Sequence, residues 1–275
     1  MNQINISDFV IGNNVKFVLI AGPCVLENEA VAMDTARYLQ KLTAKLKIPF
    51  IFKASYDKAN RTSIKSYRGP GVKKGLAILK SIKEKLGIPL LSDVHRFEEI
   101  DVAAKILDVV QVPAFLCRQT DLITEIAKKA RVINIKKGQF LAPWDVANII
   151  EKAKAAGNEN IMITERGASF GYNNLVFDVR SLPIIRDMGY PVIFDATHAV
   201  QLPGGDGTAS GGQRDMVKYL ARAAVATGVD GIFLEVHKDP ETALCDGANS
   251  LYLGELEELL TMLKQIDRLV KTPAR

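Results

Sequence analysis

No stretch of about 18 consecutive apolar residues occurs anywhere in the 275-residue chain, which argues against a membrane-spanning helix. Cysteine is scarce. Three residues (Cys24, Cys117, Cys245) are too few, and odd in number, for a disulfide framework, so a reducing cytoplasm is the expected setting. The N-terminus, Met1 to Asn14, lacks a basic stretch followed by a long apolar block and does not read as a secretory signal. Neither a CxxC nor an HExxH pattern is present, so no metal site is given by short-range spacing alone. Aromatic residues make up only 7% of the chain, and Lys and Arg are scattered rather than clustered with them, which disfavours a nucleic-acid partner.

Net charge is +5 with pI about 9.0, a balance that a cationic cleft for anionic metabolites would explain. Apolar residues at 48% and charged residues at 24% leave ample material for a core.

A βα repeat organises the chain. Short β-branched runs at Phe17–Ala21, Pro49–Lys53, Pro89–Ser92, Val109–Pro113, Val132–Lys136, Ile161–Glu165, Val192–Asp195 and Ile232–Val236 alternate with longer amphipathic segments. Those segments are Ala30–Leu46, Lys73–Leu86, Phe97–Leu107, Leu122–Ala130, Val146–Ala156, Met216–Thr227 and Leu256–Leu269, with a shorter one at Ser181–Met188. Gly87-Ile88-Pro89 and Gly189-Tyr190-Pro191 each stop a helix and start a strand. Eight such units predict an α/β fold, a (β/α)8 TIM barrel forming one catalytic domain over residues 1–275. An open doubly wound sheet is the alternative, but Ala21-Gly22-Pro23-Cys24 is not the Gly-rich fingerprint expected after its first strand. Residues Ile4–Asn14 could form a small hairpin closing the barrel floor.

Chemistry in this fold sits where strands end. Cys24, Lys53, Asp93, Gln111, Lys136, Glu165-Arg166, His198, and Glu235 with His237 occupy the eight strand ends. Any one of them could be an ordinary loop polar residue; the set is read as an active site, with Asp93 and Gln111 among its substrate-facing members. Lys53, Lys58, Arg61, Lys136 and Arg166 form a cationic group that would repel itself without an anion, which suits phosphate or carboxylate ligands. Because strands 1 and 7 both adjoin strand 8 in a closed barrel, Cys24, His198, Glu235 and Asp246 can converge. One thiolate, one imidazole and two carboxylates suit Zn²⁺ or Fe²⁺, and Mg²⁺ less well. The alternative for Cys24 is a small core residue. Cys117 and Cys245 are expected to be packing residues, and His95 and His237 hydrogen-bonded or surface loop residues. Long loops at Tyr56–Gly71 and Ala199–Gln213 follow strands 2 and 7; the second, with Gly204-Gly205-Asp206-Gly207, is read as a lid.

Ala21-Gly22-Pro23-Cys24, Phe52-Lys53-Ala54-Ser55, Lys58-Ala59-Asn60-Arg61-Thr62-Ser63, Gln111-Val112-Pro113-Ala114, Ile135-Lys136-Lys137-Gly138-Gln139, Glu165-Arg166-Gly167, Phe194-Asp195-Ala196-Thr197-His198 and Cys245-Asp246-Gly247-Ala248-Asn249-Ser250 together resemble the 3-deoxy-D-manno-octulosonate 8-phosphate synthase family over essentially the whole chain. The resemblance implies condensation of phosphoenolpyruvate with arabinose 5-phosphate, releasing inorganic phosphate, on the way to the inner sugar of lipopolysaccharide. It implies a barrel, a homotetramer and a cytoplasmic location, with small phosphorylated molecules as ligands and neither nucleic acid nor membrane as partner. In that family, members with Cys at the end of strand 1 need a divalent metal, and members with Asn there do not. Cys24 therefore resembles the metal-dependent branch, with Cys24, His198, Glu235 and Asp246 as ligands and Zn, Fe, Mn or Co as the ion.

Residue-wise, the resemblance puts Lys53 and Lys58 near the phosphoenolpyruvate carboxylate, and Lys136, Arg166, Gln111 and the Ala114 N–H around its phosphate. Asn60, Arg61 and Thr62 would meet arabinose 5-phosphate, with Arg118 reaching the sugar phosphate from a neighbouring subunit. Lys136, His198, Asn60 and Cys24 are the residues expected to carry the chemistry. Two rivals stand beside this reading. A metal-dependent 3-deoxy-D-arabino-heptulosonate 7-phosphate synthase would use erythrose 4-phosphate, but its second loop carries Pro where this chain has Ala59-Asn60. A non-catalytic phosphosugar-sensing barrel would be expected to have lost a strand-end residue, and none is missing.

Overall fold

Continuous burial, rather than alternation, marks the strands, as it does when both faces of a parallel sheet are covered. The computed structural model describes residues 2–205 and 210–271. Its barrel strands are β1 (Val18–Gly22), β2 (Phe50–Lys53), β3 (Leu90–Asp93), β4 (Val109–Val112), β5 (Ile133–Lys136), β6 (Ile161–Glu165), β7 (Val192–Asp195) and β8 (Gly231–His237), and every residue in them is buried. Each pairs in parallel with the next, and β8 pairs with both β7 and β1, which closes the barrel. The register at the closure sets Ile20 and Asp195 opposite Phe233 on its two sides.

Between and after the strands run α1 (Glu29–Leu46), α2 (Val72–Leu86), α3 (Phe97–Ala104), α4 (Thr120–Lys129), α5 (Val146–Ala155), α6 (Ser181–Arg186), α7 (Val217–Ala226) and α8 (Leu256–Lys271). Local signals set their ends. Asn28 caps α1 by accepting the Val31 N–H at 2.9 Å, and Gly87 ends α2 in the left-handed region at φ 64°. α3 stops three residues before the expected Leu107, because the Ile106 and Leu107 N–H groups both turn back to the Ala103 carbonyl.

The barrel interior is layered from the floor upward. Ile4–Ile6 and Phe9–Ile11 form the antiparallel hairpin anticipated from the sequence. Its Ile4, Ile6 and Ile11 pack with Ile20, Ile51, Leu91, Val109, Ile193 and Phe233, so the hairpin plugs the floor. Side chains alternate faces along a strand, so two residues later the inward position recurs one layer higher. There the residues are Lys53, Asp93, Gln111, Asp195 and Glu235, all buried. The same period carries Val132 to Asn134 and Lys136, and Met162 to Thr164. An apolar plug thus supports a polar layer at the C-terminal mouth. A second, larger core lies between the strands and the helices.

Two short ladders rise over that mouth, Ala168–Ser169 with Leu175–Val176 and Gln201–Leu202 with Gly211–Gly212. The second brackets the loop read as a lid; Asp206 and Gly207 of that loop lie outside the described residues. Among the described residues, no helix is long and apolar enough to cross a membrane.

Candidate active site

Close approach of β1 to β2 begins the site. A side chain at Gly22 would place its Cβ 1.9 Å from the Lys53 carbonyl oxygen, so only glycine lets these strand ends meet. The Cys24 carbonyl is thereby within 3.3 Å of Lys53 Nζ. Lys53 also donates to Ser55 Oγ at 2.8 Å, and Ser55 hydrogen-bonds Asp93.

One cleft over the polar layer is lined by Lys53, Lys58, Asn60, Arg61, Thr62, Asp93, Gln111, Ala114, Lys136, Arg166, His198 and Asp246. Twelve of the expected site residues are therefore brought together. Glu235 and Cys24 lie just beneath. Glu235 Oε1 is 3.6 Å from Lys58 Nζ and from His198 Nε2, and Cys24 Sγ is 3.6 Å from Asp246 Oδ2. Arg118 is the exception: it is exposed, outside this cleft, in a neighbouring depression with Phe97 and Gln119.

Charge in the cleft differs from the sequence expectation of mutually repelling cations. The barrel supplies carboxylates from the same layer. Lys53 pairs with Glu235 at 3.5 Å and Asp93 at 3.9 Å, Arg61 with Asp246 at 3.5 Å, and Lys136 with Asp195 at 2.6 Å. Arg166 is held differently, by Gln139, Gln201 and the His198 carbonyl, none of them a carboxylate. Its own turn is braced by Glu165 Oε1, which accepts the Arg166 N–H at 2.8 Å and the Gly167 N–H at 2.6 Å, with Gly167 at φ 86°. A guanidinium hydrogen-bonded to amides and a carbonyl rather than to a carboxylate, beside Lys136, keeps donor capacity of the kind that suits an anion. Burial pushes the Lys136 ammonium below its ordinary range, and Arg166 and Lys53 push the same way against Asp195.

Two groups of ligand-type residues share Asp246. Donor atoms of His198, Glu235 and Asp246 lie within 4.8 Å of one another, as do those of Cys24, Cys245 and Asp246. Burial alone would raise Asp246, yet His198, Lys58 and Arg61 hold its carboxyl well below the usual range. Glu235 is wholly buried, and its Oε2 has no hydrogen-bond partner among the described residues. An orphaned buried carboxylate oxygen is costly, and a cation would satisfy it. Each group by itself offers three donors of types that a divalent ion takes, and the expected set of Cys24, His198, Glu235 and Asp246 is divided between the two, joined at Asp246.

Several participants escaped the sequence reading. Cys245 was expected only to pack, but its Sγ lies 2.9 Å from Cys24 Sγ and 2.7 Å from Arg61 Nη1, because the β8 loop that carries Asp246 also carries its neighbour inward. Cys117 does pack, fully buried. His95 lines the cleft with Nε2 3.0 Å from Asp93 Oδ2, and His237, expected in a loop, is the buried last residue of β8, bonded to Asp239. Asp195 lies between Lys136 and His198. Its signal was present in the alternation, since Ile51–Lys53, Leu91–Asp93, Ile193–Asp195 and Phe233–Glu235 all read apolar-x-charged at strand ends.

The model of the DAHP synthetase I family matches residues 1–272. The chain belongs to that family. Within it, the chain is similar to curated proteins named 2-dehydro-3-deoxyphosphooctonate aldolase. One from Geotalea daltonii is 61% identical over 271 residues, covering 98% of this chain and 100% of the relative. Those from Geotalea uraniireducens and Pelobacter propionicus are 62% and 61% identical, again covering 98% of this chain and 100% and 99% of the relative.

Proposed function

We propose that the chain, acting as one catalytic domain, condenses phosphoenolpyruvate with D-arabinose 5-phosphate and water to 3-deoxy-D-manno-octulosonate 8-phosphate and inorganic phosphate. One observation carries the reading. The cation-lined cleft belongs to a chain about 60% identical, end to end, to proteins named 2-dehydro-3-deoxyphosphooctonate aldolase, a name that describes a phosphorylated eight-carbon 2-keto-3-deoxy acid. Three carbons from phosphoenolpyruvate and five from a pentose phosphate make that acid. Erythrose 4-phosphate would give seven, so the heptulosonate alternative is not favoured, and neither is a barrel that only senses phosphosugars.

Bound side by side, the substrates avoid most of the entropic cost of meeting. Lys53 and Lys58 face the phosphoenolpyruvate carboxylate. Lys136, Arg166, Gln111 and the Ala114 N–H surround its phosphate, while Asn60, Arg61 and Thr62 hold the sugar. C3 of phosphoenolpyruvate attacks the aldehyde carbon, positive charge develops at C2, and water adds there before phosphate leaves. Cys24, His198, Glu235 and Asp246 hold a divalent ion, read as Zn²⁺ or Fe²⁺ with Mn²⁺ or Co²⁺ as substitutes. When bound, such an ion supplies Lewis acidity for the aldehyde or for water. Arg118, exposed and outside its own cleft, serves the sugar phosphate of a neighbouring copy in a cytoplasmic homotetramer.

The decisive assay supplies both aldose phosphates, with and without a chelator. Phosphate release with arabinose 5-phosphate, lost on prolonged chelation and restored by Zn²⁺, Mn²⁺, Co²⁺ or Fe²⁺, is expected. Equal turnover of erythrose 4-phosphate, or full activity in verifiably metal-free enzyme, contradicts the reading.

A further inference from the structure

Asp195 is wholly buried at the end of β7, and four groups converge on its two oxygens. Oδ2 lies 2.6 Å from Lys136 Nζ and 2.8 Å from His198 Nδ1. Oδ1 accepts the His198 backbone N–H at 2.8 Å and the Thr197 hydroxyl at 3.0 Å. The Thr197 oxygen in turn accepts the backbone N–H of Glu235 at 3.1 Å, across to β8. One carboxylate is therefore joined to the phosphate-side lysine, to the imidazole and, through one hydroxyl, to the strand carrying Glu235.

The geometry points to Asp195 as a positioning residue that fixes the metal ligands His198 and Glu235 and the phosphate-side Lys136 in one arrangement. His198 Nδ1 faces both this carboxylate, at 2.8 Å, and the Lys136 ammonium, at 3.3 Å, so the ring is held on that side by two groups that also hold each other. Nε2 is thereby turned to the side of Glu235 and Asp246, at 3.6 and 3.7 Å. Outer partners of this kind typically alter metal affinity or activity by about 10–100-fold. The shared carboxylate also means that displacing Asp195 disturbs metal retention and phosphoenolpyruvate binding together, two properties with no ligand in common. This inference rests on the condensation reading for the role of Lys136, whereas its metal half does not.

The test compares purified holoenzymes of wild type, Asp195→Asn and Asp230→Asn, the last a buried carboxylate at the opposite end of the barrel as control for loss of a buried charge. Zn²⁺ affinity is measured by competition with a chromophoric chelator, KM for phosphoenolpyruvate and kcat by phosphate release, and folding by circular dichroism. Asp195→Asn should weaken Zn²⁺ binding at least about tenfold and raise KM for phosphoenolpyruvate, while Asp230→Asn changes neither. Folded Asp195→Asn enzyme with wild-type Zn²⁺ affinity overturns the assignment. Should Asp195→Asn not fold, Thr197→Val decides, because it cuts only the link to Glu235. Weaker Zn²⁺ binding at unchanged KM for phosphoenolpyruvate upholds the arrangement, and wild-type Zn²⁺ affinity overturns it. The Zn²⁺ measurements need no substrate, so a wild-type enzyme inactive on these sugars would remove the condensation reading and leave them decisive.

Discussion

Cys24 and Cys245 are 221 residues apart in sequence, yet their sulfur atoms lie 2.9 Å apart, with Arg61 on the Cys245 side. The two thiols are not equivalent. Cys24 is fixed at the end of β1, against Lys53 and within 3.6 Å of Asp246, whereas Cys245 already faces a guanidinium. Burial pushes the Cys24 thiol well up, contact with Cys245 adds to this, and Lys58 opposes it.

Cys24→Ala should therefore abolish metal retention, and Cys245→Ala should preserve it. If Cys24 is the direct ligand proposed, its loss is expected to exceed the roughly 10–100-fold effect of an outer partner. Metal-to-protein ratios after dialysis against a weak chelator measure both. Equal loss in the two variants would mean that both thiols ligate. Cys245→Ala should instead act on the sugar, by freeing Arg61 and raising KM for arabinose 5-phosphate.

Asn60 lines the cleft next to Arg61 and Thr62. Its amide can hydrogen-bond a sugar hydroxyl that a shorter aldose lacks. Asn60→Ala should cut kcat/KM for arabinose 5-phosphate by about 1–3 kcal/mol of transition-state binding, the usual range for leaving a polar partner unpaired. Erythrose 4-phosphate should be affected less. A uniform loss with both sugars would assign Asn60 a structural role.

What was legible in the sequence, and what was not, follows from physical range. The barrel strands were found within a residue or two because a doubly buried strand is a continuous apolar run, a local property. Ser181–Arg186 was the faintest helix because six residues scarcely establish a 3.6 period. The ladders at 168–176 and 201–212 were invisible, since two-residue strands carry no alternation. At the site, strand-end position identified Lys53, Lys136 and Arg166, but it carries no information on pairing. Which carboxylate neutralises which cation depends on the barrel register, and so did the contact between Cys24 and Cys245. That Cys24, His198, Glu235 and Asp246 come to one side of the mouth, in two groups sharing Asp246, needed only barrel closure, one topological fact; how the two groups divide depends on side-chain placement that the sequence does not carry.

Asp230, at the barrel floor, supplies a test of electrostatics away from the cleft. Its Oδ2 accepts the Val192 N–H at 3.0 Å and lies 3.4 Å from Arg186 Nε. Burial pushes its carboxyl up, and the Val192 N–H, Arg186 and Lys271 only partly offset this. When the folded-state pKa lies above the unfolded one, the folded state binds the proton more tightly between the two values. Stability then rises as pH falls through the folded pKa, and the cost is fully present above it. The melting temperature of wild type relative to Asp230→Asn should therefore increase on going from pH 7 to about pH 4, within the window set by an ordinary Asp and its raised counterpart. A difference independent of pH would show that Asp230 is not perturbed in the folded protein.

The last prediction concerns the bond of phosphoenolpyruvate that breaks. Water could attack phosphorus and break the P–O bond, or add to C2, after which the C–O bond breaks. In the proposed site Lys136 and Arg166 would hold the phosphate as an anion, with Gln111 on the adjoining strand bonded to Asn134 and so kept in place. Neither cation is a nucleophile toward phosphorus, and spreading negative charge over the phosphate oxygens suits a departing group. The proposed sugar site lies on the loop after β2, across the mouth from β5 and β6, and in the proposed arrangement C3 and C2 rather than phosphorus would face the second substrate. Phosphoenolpyruvate labelled with ¹⁸O in its C–O–P bridge should release phosphate that keeps the label, read by mass spectrometry. If the label is found instead in the C2 oxygen of the sugar acid, measured before exchange with water can remove it, phosphorus is the centre attacked and the roles assigned to Lys136 and Arg166 are wrong, even with the substrates correctly named.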